Sequence, residues 1–284
     1  MISALLGLAS ALGLGVADFM GRFSARVLGA TLAYGAVLLV GATGATVWLL
    51  ASGQHLIWSP VGCAIAVAHG LCVAVMCILL YMGMARGPIA VVAPIVAAHP
   101  VLVLAVNVCM GVRPSAMQWA AMASIVAGGI IIARGAVEES DGSQGESNWP
   151  SVLIASGACL AYAALVLTGQ AAAPMIGEFE TMWIGRCSGL AFIAGLLAWQ
   201  RQSVRIPANW LPYVGLQGLL DTAGYFTFLA GANTVAPHIT MVVASAFSVV
   251  TVLLARVVIQ EPVSKTQWGA IALIAVGTAA LSAT

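Results

Sequence analysis

Charge is what this sequence has least of. In 284 residues there are 10 Lys and Arg and 9 Asp and Glu, so charged residues make up 7% of the chain and hydrophobic ones 62%. A water-soluble domain carries about 25% charged residues, and so thin a supply cannot cover an aqueous surface on a chain of this length. The net charge of +1 and the single lysine, Lys265, exclude a nucleic-acid partner, because phosphate neutralisation needs clustered Lys and Arg. Catalytic signatures are missing as well. The chain has no His-Glu-x-x-His, no Gly-x-Ser-x-Gly and no Gly-x-x-x-x-Gly-Lys-Ser/Thr, so the residue sets of zinc hydrolases, serine hydrolases and nucleotide-driven motors are lacking, and no enzyme is expected. Cysteines 63, 72, 77, 109, 159 and 187 all lie inside apolar runs and form no Cys-x-x-Cys pair. They read as small apolar residues of helices, so neither a metal nor another cofactor is expected.

Long apolar runs fill the chain. Ten of them are delimited, at 2–20, 30–51, 60–83, 88–110, 115–134, 151–171, 181–200, 209–230, 237–259 and 266–283. A bilayer span needs roughly 20 mostly apolar residues, whereas a barrel strand needs about ten that alternate. These runs have the helical length and do not alternate, which predicts an all-α integral membrane protein. The first run starts at Met1 without preceding basic residues or a cleavage site and reads as a retained span. Linkers are short: Ser52 to His55 with Ser59-Pro60, Arg86-Gly87-Pro88, and Gln202 to Pro207. The longest polar run, Glu138 to Asn148, falls at the midpoint. It divides the chain into a first unit at 1–137, a connecting loop at 138–150 and a second unit at 151–284.

The two units repeat one another. Pro114-Ser115, Gln118-Trp119, Ala121, Ala123, Ile125 and Gly128 answer to Pro262, Ser264, Gln267-Trp268, Ala270, Ala272, Ile274 and Gly277, with one inserted residue. Upstream, Ala98 and Val101 fall on Ala246 and Val249. Five spans per unit is an odd number, so the second unit enters the membrane from the opposite side. Two inverted five-helix repeats are predicted, an architecture of secondary transporters whose substrate site lies near the midplane between repeats. The many glycines within the spans, such as Gly7, Gly13, Gly15, Gly35 and Gly41, read as sites of close helix approach.

Gly87-Pro88 opens the fourth span, His99-Pro100 stands in its middle, and an acidic residue, Glu261, precedes the tenth span, while Val112 takes the matching place before the fifth. On these residues the chain resembles the ten-helix, EamA-type carriers of the drug/metabolite transporter superfamily, in the branch of amino-acid and metabolite exporters. That branch is usually marked by Gly-Pro, Tyr-Pro and Gly-Glu steps. Here His99 replaces the Tyr and Val112 the Glu. The resemblance covers essentially the whole chain and lies nearest the aromatic and neutral amino-acid exporters. It implies an exporter of amino acids in the cytoplasmic (inner) membrane, multi-pass, monomeric or weakly dimeric. Export of drugs or other small metabolites is the alternative.

Polar residues at membrane depth mark the candidate site, because a charge at the bilayer centre costs about 2.5–3.5 kcal/mol on insertion scales and faces protein or water. Gln217, Asp221, Tyr225 and Phe228 share a stripe of the eighth span. His69 is the repeat partner of Gln217, and it shares a stripe of the third span with Cys77 and Tyr81. One reading makes these stripes facing walls of a cavity; the other makes them interhelical hydrogen bonds. His99 lies beside the kink at Pro100 and either lines the path or bonds a local carbonyl, and Ser245 sits near the repeat-related position. The substrate-binding set is therefore His69, Tyr81, His99, Tyr162, Gln217, Asp221, Tyr225 and Ser245. Asp18 is expected to pair with Arg22 one turn on, and Arg186 and Arg256 read as interface or snorkelling residues. With few basic residues at depth, a neutral or zwitterionic small molecule is the expected partner, alongside the bilayer itself. Arginines concentrate on odd-numbered loops, which by the positive-inside rule puts both termini outside; the resemblance puts them inside.

Overall fold

The computed structural model describes residues 1–53, 56–141 and 149–283; Gln54 and His55 of the second linker and residues 142–148 of the central polar run lie outside the described residues. The described residues form helices and no strands: α1 (Ile2–Leu28), α2 (Ala30–Ser52), α3 (Pro60–Arg86), α4 (Ile89–Ala97), α5 (His99–Cys109), α6 (Ala116–Asp141), α7 (Trp149–Ile176), α8 (Glu178–Trp199), a 3-10 turn (Ala208–Trp210), α9 (Leu211–Ala232), α10 (Pro237–Ala244), α11 (Phe247–Val258) and α12 (Lys265–Ser282). Helices satisfy their own backbone groups, as a lipid surround demands. Among the described residues seven segments are long and apolar enough to cross a membrane, with α4 and α5 counted as one and α10 and α11 as another. Helix α9 is not one of them, and it is the helix that carries Gln217 and Asp221.

Local chemistry sets the helix ends. Ser59 accepts from the Gly62 amide ahead of Pro60 at the first helical position of α3. The repeated Ser-x-x-Gln turns out to be a capping box used twice. Ser115 and Gln118 exchange bonds of 3.3 and 2.8 Å at the start of α6, and Ser264 and Gln267 exchange bonds of 3.2 and 2.8 Å at the start of α12. Helix α1 runs eight residues beyond the expected end at 20, to Leu28. Its basic residues do not stop it because they bond inward: Arg22 Nη1 donates to the Gly87 carbonyl at 3.1 Å and Arg26 Nε to the Ala85 carbonyl at 2.8 Å.

A single glycine joins α1 to α2 and another joins α7 to α8. Gly29 has φ 81° and ψ 147°, Gly177 φ 99° and ψ 156°, a region that residues with a Cβ essentially do not enter. The fourth span breaks at Ala98 and the ninth at Ser245 and Ala246. Pro100 accounts for the first break, since it has no N–H for the Val96 carbonyl; His99 Nδ1 meets that carbonyl instead at 3.2 Å. No proline stands at the second break, where Ser245 Oγ donates to the Val242 carbonyl of its own helix at 2.7 Å.

The packing pairs elements in a pattern that survives exchange of the two units. Helix α1 lies on α9 as α7 lies on α3, α2 meets α9 as α8 meets α3, and α6 meets α12. Contacts at α6 and α12 exchange residue by residue. A methyl group added at Gly128 would meet the Ala270 carbonyl oxygen at 2.7 Å, and one added at Gly277 would meet that of Ala121 at 2.9 Å. Glycine is required at both places for the helices to approach this closely.

Candidate functional site

The candidate residues gather where α9 crosses α1, α3 and α8. Gln217, fully buried, donates from Nε2 to the Tyr81 hydroxyl at 2.7 Å and to the Ala17 carbonyl at 3.3 Å. One turn on, Asp221 Oδ2 accepts from Arg186 Nη2 at 2.9 Å. Another turn on, the Tyr225 ring has the Arg186 guanidinium 5.6 Å from its centroid, a cation–π contact. Phe228 is Tyr225's ring neighbour at 6.5 Å. Tyr81 also meets Tyr34 edge-on at 5.6 Å. His99 of α5 and Tyr162 of α7 form a parallel stack, centroids 3.7 Å apart and planes 8° from parallel.

His69 is not part of this gathering. It is 6% exposed, its ring lies against Gly169 and Gly185, and its Nδ1 bonds the Leu165 carbonyl at 2.9 Å. That bond explains its match with Gln217. Moving 148 residues along takes His69 to Gln217 and takes the acceptor Leu165 back to Ala17, so the bonds His69 to Leu165 and Gln217 to Ala17 are the same bond made once in each direction across the molecule. For His69 the interhelical-bond reading is the observed one; Gln217 makes that bond and also reaches Tyr81. Ser245 uses its hydroxyl on its own helix at the break.

Two expectations are corrected. Arg186 does not snorkel: it is 7% exposed and ion-paired. A guanidinium carries its charge at any relevant pH, and in this interior the opposite charge of Asp221, not the membrane surface, compensates it. Its Nη1 has no hydrogen-bond partner, and neither has Gln217 Oε1, although both atoms are buried. Asp18 does not pair with Arg22. Arg22 Nη1 lies 3.1 Å from Glu261 Oε2, while Glu261 Oε1 accepts the Ala90 amide at 2.8 Å, capping α4. An anion at a helix N-terminus is favoured there, so Glu261 ties α1, α4 and the loop before α12 together. Val112, which takes the matching place before the fifth span, is half exposed and cannot do this.

Arg186 and the latch at Glu261 are functional candidates that the sequence reading left out. The available signal was an arginine inside the seventh apolar run together with an aspartate inside the eighth, two costly charges of opposite sign that call for each other.

The chain shares its fold with a solved crystal structure of a protein, with a TM-score of 0.64 over 98% of this chain and 95% of that one, at 17% identity. No curated protein matches the sequence. Residues 149–283 match the EamA-like transporter family, α7 through α12. Apolar helices, costly buried charges and this match agree: the second half of this multi-pass membrane protein is similar to the EamA-like transporter family, whose members are membrane transporters of small solutes.

Proposed function

We propose that the protein is a secondary transporter that exports amino acids, aromatic and other neutral ones first, by alternating access between two inverted five-helix repeats. The observation that carries this reading is the cluster of Arg186, Asp221 and Tyr225, in electrostatic range of the Tyr162 ring that stacks on His99 at the break of the fourth span. Half-helices ending at membrane depth are where transporters place their substrates. The inverted arrangement is supported by the contacts that exchange between units, His69 to Leu165 with Gln217 to Ala17 and Gly128 to Ala270 with Gly277 to Ala121.

The chemistry suits a zwitterion with an apolar side chain. Arg186 Nη1 is a donor without an acceptor and Gln217 Oε1 an acceptor without a donor, and buried polar atoms of this kind are ordinarily satisfied. The stacked rings of His99 and Tyr162 and the faces of Tyr225 and Phe228 offer apolar and quadrupolar surface to a side chain. Asymmetry at the two ends supports alternation. The end that holds Gly87 and Glu261 is latched by charge, and among the described residues the end that holds Val112 shows no such ion pair.

Counterflow in proteoliposomes with labelled amino acids tests the reading. Exchange of phenylalanine, tryptophan or leucine is expected. A drug or other small-metabolite exporter is the competing reading, favoured by the abundance of rings beside a carboxylate. Exchange of a cationic dye with none of the amino acids would establish it and refute ours.

A further inference from the structure

Asp18 is the unexplained charge of this protein. It lies ten residues before the end of α1 at Leu28, roughly 15 Å along the axis at 1.5 Å per residue, and so near the middle of an apolar layer about 30 Å thick. The arginine one turn on is taken by Glu261. Among the described residues Asp18 makes no hydrogen bond and no ion pair.

Its turn of helix is otherwise fully engaged. The Ala17 carbonyl accepts from Gln217, Gly21 lies against the Tyr81 ring, the Gly15 carbonyl accepts from Thr251 at 3.1 Å, and Leu14 meets Gly224 of α9. Ala17 and Phe19 are 1% and 7% exposed, whereas Asp18 between them, at the crossing of α1, α3, α9 and α11, is not fully covered. Asp18 is within electrostatic range of Asp221, Tyr81, Cys77 and Tyr162. The one cation of the cluster, Arg186, is bound to Asp221. With both carboxylates ionised, two face one guanidinium, and one negative charge is left over at membrane depth. An uncompensated charge in low dielectric is costly and is relieved either by a proton or by a positive group, and a cationic group of the solute beside Asp18 takes the proton's place when the site is filled.

We infer that Asp18 is the counter-charge for the ammonium group of the transported amino acid. This rests on the amino-acid reading of the site and assigns that site its cation-binding end. The Asp18 carboxylate receives the ammonium, the unpartnered donor of Arg186 lies toward the carboxylate end, and the rings of Tyr162 and His99 take the side chain.

The experiment is counterflow of labelled L-phenylalanine in proteoliposomes of the full chain, with phenethylamine and 3-phenylpropanoate as competitors, for wild type, Asp18→Asn and Asp18→Glu. Phenethylamine keeps the ammonium and lacks the carboxylate; 3-phenylpropanoate is the reverse. In wild type, phenethylamine is expected to compete and 3-phenylpropanoate to compete at least tenfold less well. Loss of one partner from a desolvated charge pair weakens binding by about 30-fold or more, so D18N should raise the half-saturating phenylalanine concentration at least that much while D18E stays within a fewfold of wild type. Unchanged exchange by D18N overturns the inference, and if accumulation driven by a pH gradient is lost at the same time, Asp18 serves a proton instead. Equal competition by the two analogues in wild type overturns it without any variant, so failure of D18N to fold leaves the question decidable. Absence of exchange of every amino acid in wild type refutes the functional reading itself, whereas exchange by wild type with an indifferent D18N refutes only the role of Asp18.

Discussion

Glu261 offers the sharpest test of how the helices are held. Its carboxylate is 8% exposed and has two partners in different elements: Arg22 Nη1 at 3.1 Å and the Ala90 amide at 2.8 Å. Glu261→Ala removes both bonds. It leaves Arg22, itself only 13% exposed, with the Gly87 carbonyl as its remaining partner. Hydrogen bonds to charged groups contribute about 1.5–3 kcal/mol each, and breaking a buried pair by deleting one member costs about 3–5 kcal/mol. We expect a loss of about 3–5 kcal/mol for E261A. Glu261→Gln keeps an oxygen for Ala90 and loses the charge, so its loss should be about half as large. Removing Arg22 as well takes away the stranded cation, and the double variant R22A/E261A should lose less than the sum of the single ones by about 1 kcal/mol or more. Reversible unfolding in mixed micelles, run as a double-mutant cycle, measures all three. Additive losses, or an E261A indistinguishable from wild type, would refute the claim that this carboxylate locks α1 to α4.

Other predictions follow from single contacts. Replacing Arg186 alone by Leu, or Asp221 alone by Val, strands a buried charge and should cost about 3–5 kcal/mol, but R186L/D221V copies Leu38 and Val73, the residues at the matching places of the first unit. It should unfold within about 1 kcal/mol of wild type and exchange no amino acid in counterflow; transport by the double variant would remove the pair from the site. Gly29→Ala and Gly177→Ala should each cost about 1–3 kcal/mol, because φ of 81° and 99° with extended ψ excludes a Cβ; melting curves at wild-type values would show that these corners can relax. Gln217→Leu should cost about 1–2 kcal/mol through its two lost bonds, and His69→Leu less, through its one; a transport defect in H69L larger than its stability loss would return His69 to the site.

Much of the fold could be read from residues whose local chemistry decides their conformation. Repeated Ser-x-x-Gln is a capping box wherever it opens a helix, and both copies form one. Pro100 has to break its helix, and it does. The break at Ser245 and Ala246 carries no such mark; only its match to Ala98 across the repeat pointed there. Site residues were legible one at a time as polar groups among apolar ones, but their partners were not. Asp18 and Arg22 are spaced to pair on one helix, yet Glu261, 239 positions away, holds Arg22. A pairing between distant helices depends on which faces meet, and hydrophobic runs that are apolar on every side do not announce their faces.

The distribution of charge across the two units carries the functional argument further than any single contact does. Glycines, caps, helix breaks and one hydrogen bond recur in both units, yet the membrane-depth charges do not. Arg186 corresponds to Leu38, Asp221 to Val73 and Asp18 to Val166. Had these charges served helix packing, the unit that lacks them would be hard to understand, since it packs the same helices against the same partners with Leu and Val in their place, and at lower desolvation cost. Gln217 and His69 show what a packing bond looks like here: it is present twice. A group present once, costly where it sits and not needed by its twin, is held for something other than the scaffold. On the proposed carrier reading, the Arg186–Asp221 pair and Asp18 serve the solute, and Glu261 with Arg22 serves the difference between the two ends.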